Sequence, residues 1–263
     1  MIKIAVSGAC GRMAGQVLRR ACEQDDMEIV AAIDVTENGK DIGEVLGIGS
    51  LGVKVENPDG LESVLKEKKP DILVDFTNPE SSMRNAKIAG EIGTGVVIGT
   101  TGVTDAQLKE IKQSVGKAVI APNFSVCVNL FFKMAAEAAK ILKDYDIEII
   151  EAHHRFKKDS PSGTALKLAE KVANASERDV KDMVCGREGR VGERKLDEIG
   201  VHAVRAGDIV GDHTLLFGTL GERLEIKHQA HSRDAFAYGC LKAIRWLHGR
   251  KSGVYGMEDV LGL

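Results

Sequence analysis

A glycine-rich turn close to the start of the chain narrows its possible folds more than any other feature. Ile2–Val6 is a short β-branched run that leads into Gly8, Ala9, Cys10, Gly11, Arg12, Met13, Ala14 and Gly15, and Gln16–Glu23 then reads as helical. Strand, glycine turn and helix in that order open a βαβ unit. Glycine allows the tight turn and a close approach of backbone to a pyrophosphate, and the free N–H groups at the helix start favour an anion. The spacing is G-x-x-G-x-x-A rather than G-x-G-x-x-G, so context has to support it. A second apolar run, Ile29–Ile33, ends at Asp34, 26 residues after Gly8, against a usual separation of about 20 for the carboxylate that binds the adenosine ribose. The pattern predicts a dinucleotide site at the Gly8–Gly15 turn with Asp34 on the ribose, the alternative for Asp34 being a turn residue at the strand end.

The strand–helix alternation continues through residue 125. Ile72–Phe76, Gly95–Gly99 and Ala118–Ala121 read as strands, and Pro79–Glu91 and Asp105–Val115 as helices. Such alternation implies a doubly wound parallel sheet of Rossmann type, covered on both faces. After Phe124 the pattern changes. Leu130–Lys143 reads as an amphipathic helix with Phe131, Met134, Ala135, Ala138, Ile141 and Leu142 on one side. Glu148–Ala152, Gly200–Val204, His213–Phe217 and Leu224–Gln229 read as strands, Gly163–Ala173 and Ala235–His248 as helices. This is α+β organisation. The expected division is a dinucleotide-binding domain at 1–125, a substrate-binding and oligomerisation domain at 126–233, and a C-terminal segment at 234–263 that returns to the first domain.

The richest segment runs from Glu151 to Ala165. It places His153, His154, Arg155, Lys157 and Lys158 just before Pro161, Ser162, Gly163 and Thr164, which have the character of a helix start. Cations beside free helix N–H groups suit an anionic substrate, and His and Lys can also deliver a proton. The alternative is a solvated basic loop with a capping hydroxyl. Alternation along the preceding strand sends His153 and His154 in different directions, so they should not share one role. The remaining histidines lack metal-ligand spacing with this pair, and no metal site is expected.

Composition excludes other classes. The net charge of −3 offers no nucleic-acid surface, and 43% apolar with 29% charged residues is ordinary for a globular protein. No apolar run nears the roughly 18 residues of a membrane span, and the first residues lack the features of a secretion signal, so a cytoplasmic location is expected. Five cysteines (Cys10, Cys22, Cys127, Cys185 and Cys240), odd in number and without CxxC spacing, argue against a disulfide framework.

At the level of whole motifs, the chain resembles the dihydrodipicolinate reductases. The carrying motifs are Gly8–Met13, Asp75–Pro79, Gly99–Gly102, Ala121–Val126, Glu151–Arg155 with Lys157, Asp159–Ala165, Arg205–Thr214, Ser232 with Arg233, and the tail Gly256–Leu261. The resemblance covers essentially the whole chain. It implies a cytoplasmic homotetramer built through the second domain. The implied reaction is NADH- or NADPH-dependent reduction of a cyclic dicarboxylate, the product of the dihydrodipicolinate synthase step, to tetrahydrodipicolinate. Residue by residue, it implies that Gly8–Met13 hold the pyrophosphate, and that Gly99, Thr100 and Thr101 with Ala121, Pro122, Asn123 and Phe124 line the nicotinamide side. It implies proton donation by His153 and Lys157, carboxylate binding by His154, Ser162, Gly163 and Thr164, and help from Arg233. Three positions depart from the family pattern. Ala14 and Cys127 stand where glycine is common, and Val35 follows Asp34 where some members carry an arginine for the 2′-phosphate. Asp34 without that arginine favours NADH; Arg12 and Lys40 are the nearby cations able to admit NADPH. Another two-domain dehydrogenase of amino or carboxylic acids would share the glycine turn but not the Glu151–Ala165 string. A nucleotide-binding regulator would need a DNA-binding module, and none is evident.

Overall fold

The computed structural model describes all residues, Met1–Leu263. In chain order the elements are β1 (Ile2–Ser7), α1 (Arg12–Ala21), β2 (Met27–Ile33), α2 (Ile42–Leu46), β3 (Val55–Glu56), α3 (Leu61–Lys68), β4 (Ile72–Asp75), α4 (Pro79–Ile92), β5 (Gly95–Ile98), α5 (Asp105–Ser114) and β6 (Lys117–Ile120). There follow α6 (Val126–Ile141), β7 (Asp146–His153), α7 (Gly163–Ser176), β8 (Met183–Val184), β9 (Ile199–Arg205), β10 (Gly211–Thr219), β11 (Glu222–Ala230), α8 (Asp234–His248), β12 (Gly253–Tyr255) and α9 (Met257–Leu261). The chain forms two compact units, Met1–Val126 with Asp234–Leu263, and Cys127–Arg233. No helix is long and apolar enough to cross a membrane.

The first unit is a seven-stranded parallel sheet in the order β12-β6-β5-β4-β1-β2-β3. Every residue of β4 and β5 is buried, as parallel strands covered on both faces require. β1 lies between β4 and β2, so the strand order reverses beside it, and ligands of such sheets bind at the carboxyl ends of the strands flanking that point. One core gathers α1, α8 and α9 residues such as Val17, Leu18, Leu241 and Ile244; the other lies under α3, α4 and α5. Helix α1 begins earlier than the sequence reading suggests, at Arg12 instead of Gln16. Gly11 acts as its N-cap, and Gly15 sits inside the helix where an added Cβ would lie 3.0 Å from the Leu46 side chain.

The second unit is a mixed sheet, β11-β10-β7-β9-β8, with α6 and α7 supplying the apolar side chains that cover one face. β7 alternates: Ile147, Ile149, Glu151 and His153 are buried, while Ile150 faces the other way and is exposed. The side of α6 that packs is Val128, Phe131, Phe132, Ala135 and Ala139. Met134 and Ile141, expected on that side, are exposed instead. Apolar residues occupy most positions of this helix, so hydrophobic pattern alone does not choose between its faces.

Candidate active site

In the first unit, the residues expected around a dinucleotide follow the carboxyl ends of β1, β2, β5 and β6. Gly8 has φ of +77°, and a Cβ there would lie 2.7 Å from the Phe76 carbonyl oxygen, so the turn accepts no side chain at this point. Gly11 caps α1 without a side-chain hydrogen bond, which leaves first-turn N–H groups for a ligand. A glycine turn and an uncapped helix start fit a pyrophosphate.

The buried carboxylate of Asp34 joins the two turns. Its Oδ2 accepts from the Cys10 N–H at 2.9 Å, and its Oδ1 accepts from the N–H and hydroxyl of Thr36, both at 3.0 Å. Lone pairs remain for ribose hydroxyls. Asp34 lines a cavity of about 480 Å³ with Gly8, Gly11, Val35, Asn57–Asp59, Thr77, Asn78 and Arg84, among others. Arg84 is the one cation in that wall. Its guanidinium donates to the Pro58 carbonyl at 2.8 Å and sits 3.5 Å from the Asp59 carboxylate. Neither Arg12 nor Lys40 lines the cavity, and the Lys40 ammonium is 2.5 Å from Glu37 Oε2.

The loops after β4 and β5 are fixed from below by Asp75, which is fully buried. Its Oδ1 accepts from the hydroxyls of Thr77 and Ser82 at 2.7 Å and of Thr100 at 3.0 Å; its Oδ2 accepts from the Asn85 amide at 2.7 Å. The Thr100 hydroxyl is thus engaged within the fold, and what the Gly99–Thr101 loop presents is its backbone and Thr101. Ala121 and Phe124 are buried, Pro122 is exposed, and the Phe124 ring packs 5.9 Å from that of Phe76.

In the second unit, β7 ends at His153, and the chain turns immediately, with the Lys157 N–H donating to the His154 carbonyl at 3.0 Å. The Lys157 ammonium is paired with Asp159 at 2.9 Å. Ser162 caps α7, its hydroxyl accepting from the Ala165 N–H, so Gly163 and Thr164 form the first turn. His153 is buried and His154 half-buried, with His154 Nδ1 lacking a partner. His153 Nδ1 lies 2.6 Å from Glu151 Oε2. Burial lowers the His153 pKa, and the Glu151 carboxylate only partly opposes this. Arg233 is exposed and follows β11, whose last residue Ala230 pairs with Gly211. A Cβ on Gly211 would lie 3.1 Å from His153 Nε2. The end of β7, the start of α7 and the end of β11 therefore share one end of the sheet.

Two family models match in succession: Dihydrodipicolinate reductase, N-terminus, over residues 2–124, and Dihydrodipicolinate reductase, C-terminus, over residues 127–261. The chain belongs to the dihydrodipicolinate reductase family. Within that family, it is 50% identical over 270 residues to the 4-hydroxy-tetrahydrodipicolinate reductase of Methanocaldococcus jannaschii, covering 100% of this chain and 98% of the relative. The enzyme of the same name from Methanothermobacter thermautotrophicus is also 50% identical, with 100% of both chains covered. A solved dihydrodipicolinate reductase from Paenisporosarcina sp. TG-14, with dipicolinate bound, superposes with a TM-score of 0.79 at 31% identity, covering 99% of this chain and 100% of that one.

Sequence alone assigns no role to four features of this reductase-family chain: Arg84, the Asp75 hub, Glu151 with Arg205, and a row of buried histidines. Of these, Asp75, Glu151 and Arg205 lie in the motifs that carry the resemblance. In register, Glu151 faces His213, and His213 faces His228. His213 is 3% exposed, and burial followed by the nearby His153 and His228 pushes its pKa from 6.5 to about 4. The unfolded chain therefore binds a proton that the folded protein refuses between pH 6.5 and 4. Stability is complete above that window and falls as pH drops through it. The shift corresponds to about 3 kcal/mol. Denaturant unfolding across this window should show a shallower acid loss in His213→Gln than in the wild type. Parallel slopes would show that His213 does not cause it.

Proposed function

We propose that this chain reduces 4-hydroxy-tetrahydrodipicolinate to tetrahydrodipicolinate, with NADH or NADPH as reductant. The observation that carries the reading is the gathering of His153, His154, Lys157 and the capped start of α7 in one short stretch, in a chain half identical to reductases of that name along its whole length. Loss of the 4-hydroxyl as water leaves a conjugated ring imine, to which reduced nicotinamide, when bound, would supply a hydride. The residues of this chain do the rest. Gly8–Met13 hold the pyrophosphate and Asp34 the ribose, with Gly99–Thr101 and Ala121–Phe124 on the nicotinamide side. The N–H groups of Gly163 and Thr164, the Ser162 hydroxyl, His154 and Arg233 hold the ring carboxylates.

As the hydride adds, negative charge develops toward the ring nitrogen; a proton taken up there gives an enamine, which becomes the product imine when a proton is placed on the adjacent ring carbon and the nitrogen gives one up. Lys157 suits this role, because its ammonium is already positioned by Asp159. Burial keeps His153 neutral near pH 7, so it serves better as an oriented hydrogen-bonding and relay group than as a standing acid. A homotetramer assembled through the second unit is part of the same reading. Ile150 and Val204 support it, both exposed on the sheet face opposite α6 and α7.

Cofactor choice follows from the cavity wall. Asp34 repels a 2′-phosphate and favours NADH, and Val35 offers no compensating charge. Arg84, rather than Lys40 or Arg12, is the cation able to accommodate NADPH. Both cofactors should work, with NADH preferred by up to about tenfold, or about 1 kcal/mol. Arg84→Ala should lower kcat/KM for NADPH about three- to tenfold more than for NADH, as a half-exposed cation allows. Equal losses for both cofactors would remove Arg84 from this role. The reaction itself is tested by following cofactor oxidation with aspartate semialdehyde, pyruvate and a dihydrodipicolinate synthase. Oxidation should require all three, and folded protein that leaves the cofactor reduced would refute the assignment.

A further inference from the structure

Glu151 touches His153, Arg205 and the residue that caps α7, yet it is fully buried and takes no direct part in the reduction. Strand alternation puts it two residues before His153 on the same face of β7. A buried carboxylate is costly unless paired and hydrogen-bonded, and this one is saturated. Arg205 grips it in a two-pronged pair, with one guanidinium nitrogen 2.8 Å from Oε2 and the other 2.8 Å from Oε1. The Ser162 N–H donates to Oε1 at 3.0 Å, and His153 Nδ1 lies 2.6 Å from Oε2. Arg205 also donates to the Asp159 carbonyl at 2.7 Å, and Asp159 pairs with Lys157. One carboxylate therefore reaches the His153 ring, the residue that caps α7 and, through Arg205, the loop that holds Lys157.

The geometry points to Glu151 as the positioning residue of the reduction, with Arg205 as its clamp: it fixes His153 in the Nδ1–H tautomer and holds the α7 start and the Lys157 loop in register with that ring. This rests on the reductase reading above. Burial raises the Glu151 pKa, but the bonds from Arg205, His153 and Ser162 outweigh it and hold the group below the ordinary range. Glu151 is therefore an acceptor only. A neutral His153 beside it must carry its proton on Nδ1, which leaves the Nε2 lone pair toward the open end of the sheet beside Gly211. Carboxylate partners fix ring orientation and tautomer in the same way at metal-bound histidines, and their loss typically costs 10–100-fold in affinity or activity.

The test uses the full-length protein and two readouts. In the wild type, nitrogen NMR of the His153 ring should show Nδ1 protonated and Nε2 bare at neutral pH. In Glu151→Gln, the amide oxygen can take the Oε1 place and keep the Ser162 contact and one of the two Arg205 bonds, while its NH₂ takes the Oε2 place, faces Nδ1 and loses the other Arg205 bond, so the ring should switch to Nε2–H. That variant should lose about 10–100-fold in kcat with cofactor KM unchanged. The His153 limb of the pH–rate profile should move to lower pH, because the charges and rings left facing His153 are Lys157, Arg205 and His213. A purely structural ion pair would lower the melting temperature without moving tautomer or pH profile. An Nε2–H ring in the wild type overturns the proposal without any variant, which covers the case in which Glu151→Gln does not fold. A variant that turns over within about twofold of wild type, with its tautomer unchanged, overturns it as well. Wild-type protein inert in the coupled assay would instead sink the reductase reading.

Discussion

Replacing Lys157 by alanine is expected to lower kcat by roughly 10²–10⁴-fold, the usual worth of a positioned acid, while leaving the affinity for NADH within about twofold. The ammonium is held by Asp159 on a tight turn after β7, and its side chain is four-fifths shielded from solvent. The buried histidines do not replace it. Burial keeps His153 and His213 below the ordinary histidine range, so neither arrives as a cation at neutral pH. Cofactor affinity should persist because Lys157 belongs to the second unit, whereas the glycine turn and Asp34 belong to the first. Steady-state kinetics and a fluorescence titration with NADH separate the two effects. A variant with near-wild-type kcat would mean that Lys157 is only a surface charge. His154→Ala should act more on KM, as expected of a group that binds ground and transition states alike.

A large stability effect is expected at Gly239, in the middle of α8. Helix propensity alone predicts that Gly239→Ala gains about 1 kcal/mol. Packing predicts the reverse. An added Cβ would lie 1.8 Å from the Phe124 carbonyl oxygen and 2.8 Å from its carbon, and these are backbone atoms with little freedom to yield. Overpacking of this kind costs roughly 1–3 kcal/mol and occasionally more, and a contact this short belongs at the upper end. The net expectation is a loss of about 2 kcal/mol, or a fall of about 4–8 °C in Tm. Phe124 closes the Ala121–Phe124 loop, so cofactor KM should rise in the same variant. Chemical denaturation gives the stability change. A stabilised variant would show that α8 does not press on that carbonyl.

Much of this was legible in the chain. Parallel strands buried on both faces leave continuous apolar runs, which is why Ile29–Ile33, Ile72–Phe76 and Gly95–Gly99 could be located within a residue or two. The α7 start was legible because its capping residue, Ser162, is adjacent in sequence. Elements of two to five residues, such as β3, β12, α2 and α9, were missed, because so few residues carry no measurable period. Alternation along β7 was sufficient to put Glu151 and His153 on one face, but nothing local names the partner of a buried carboxylate. Arg205 is 54 residues away. Arg84, 50 residues beyond Asp34 in the sequence, likewise meets the Asp34 cavity only after α4 has folded onto the sheet.

The reductase assignment is tested most directly by where the hydride goes. With NADH or NADPH deuterated on the transferred face, and substrate generated in place by the synthase, cofactor oxidation should be matched by deuterium on one ring carbon of tetrahydrodipicolinate, while the second hydrogen gained by the ring comes from solvent-exchangeable groups. Oxidation of the deuterated cofactor that leaves the ring unlabelled would contradict it.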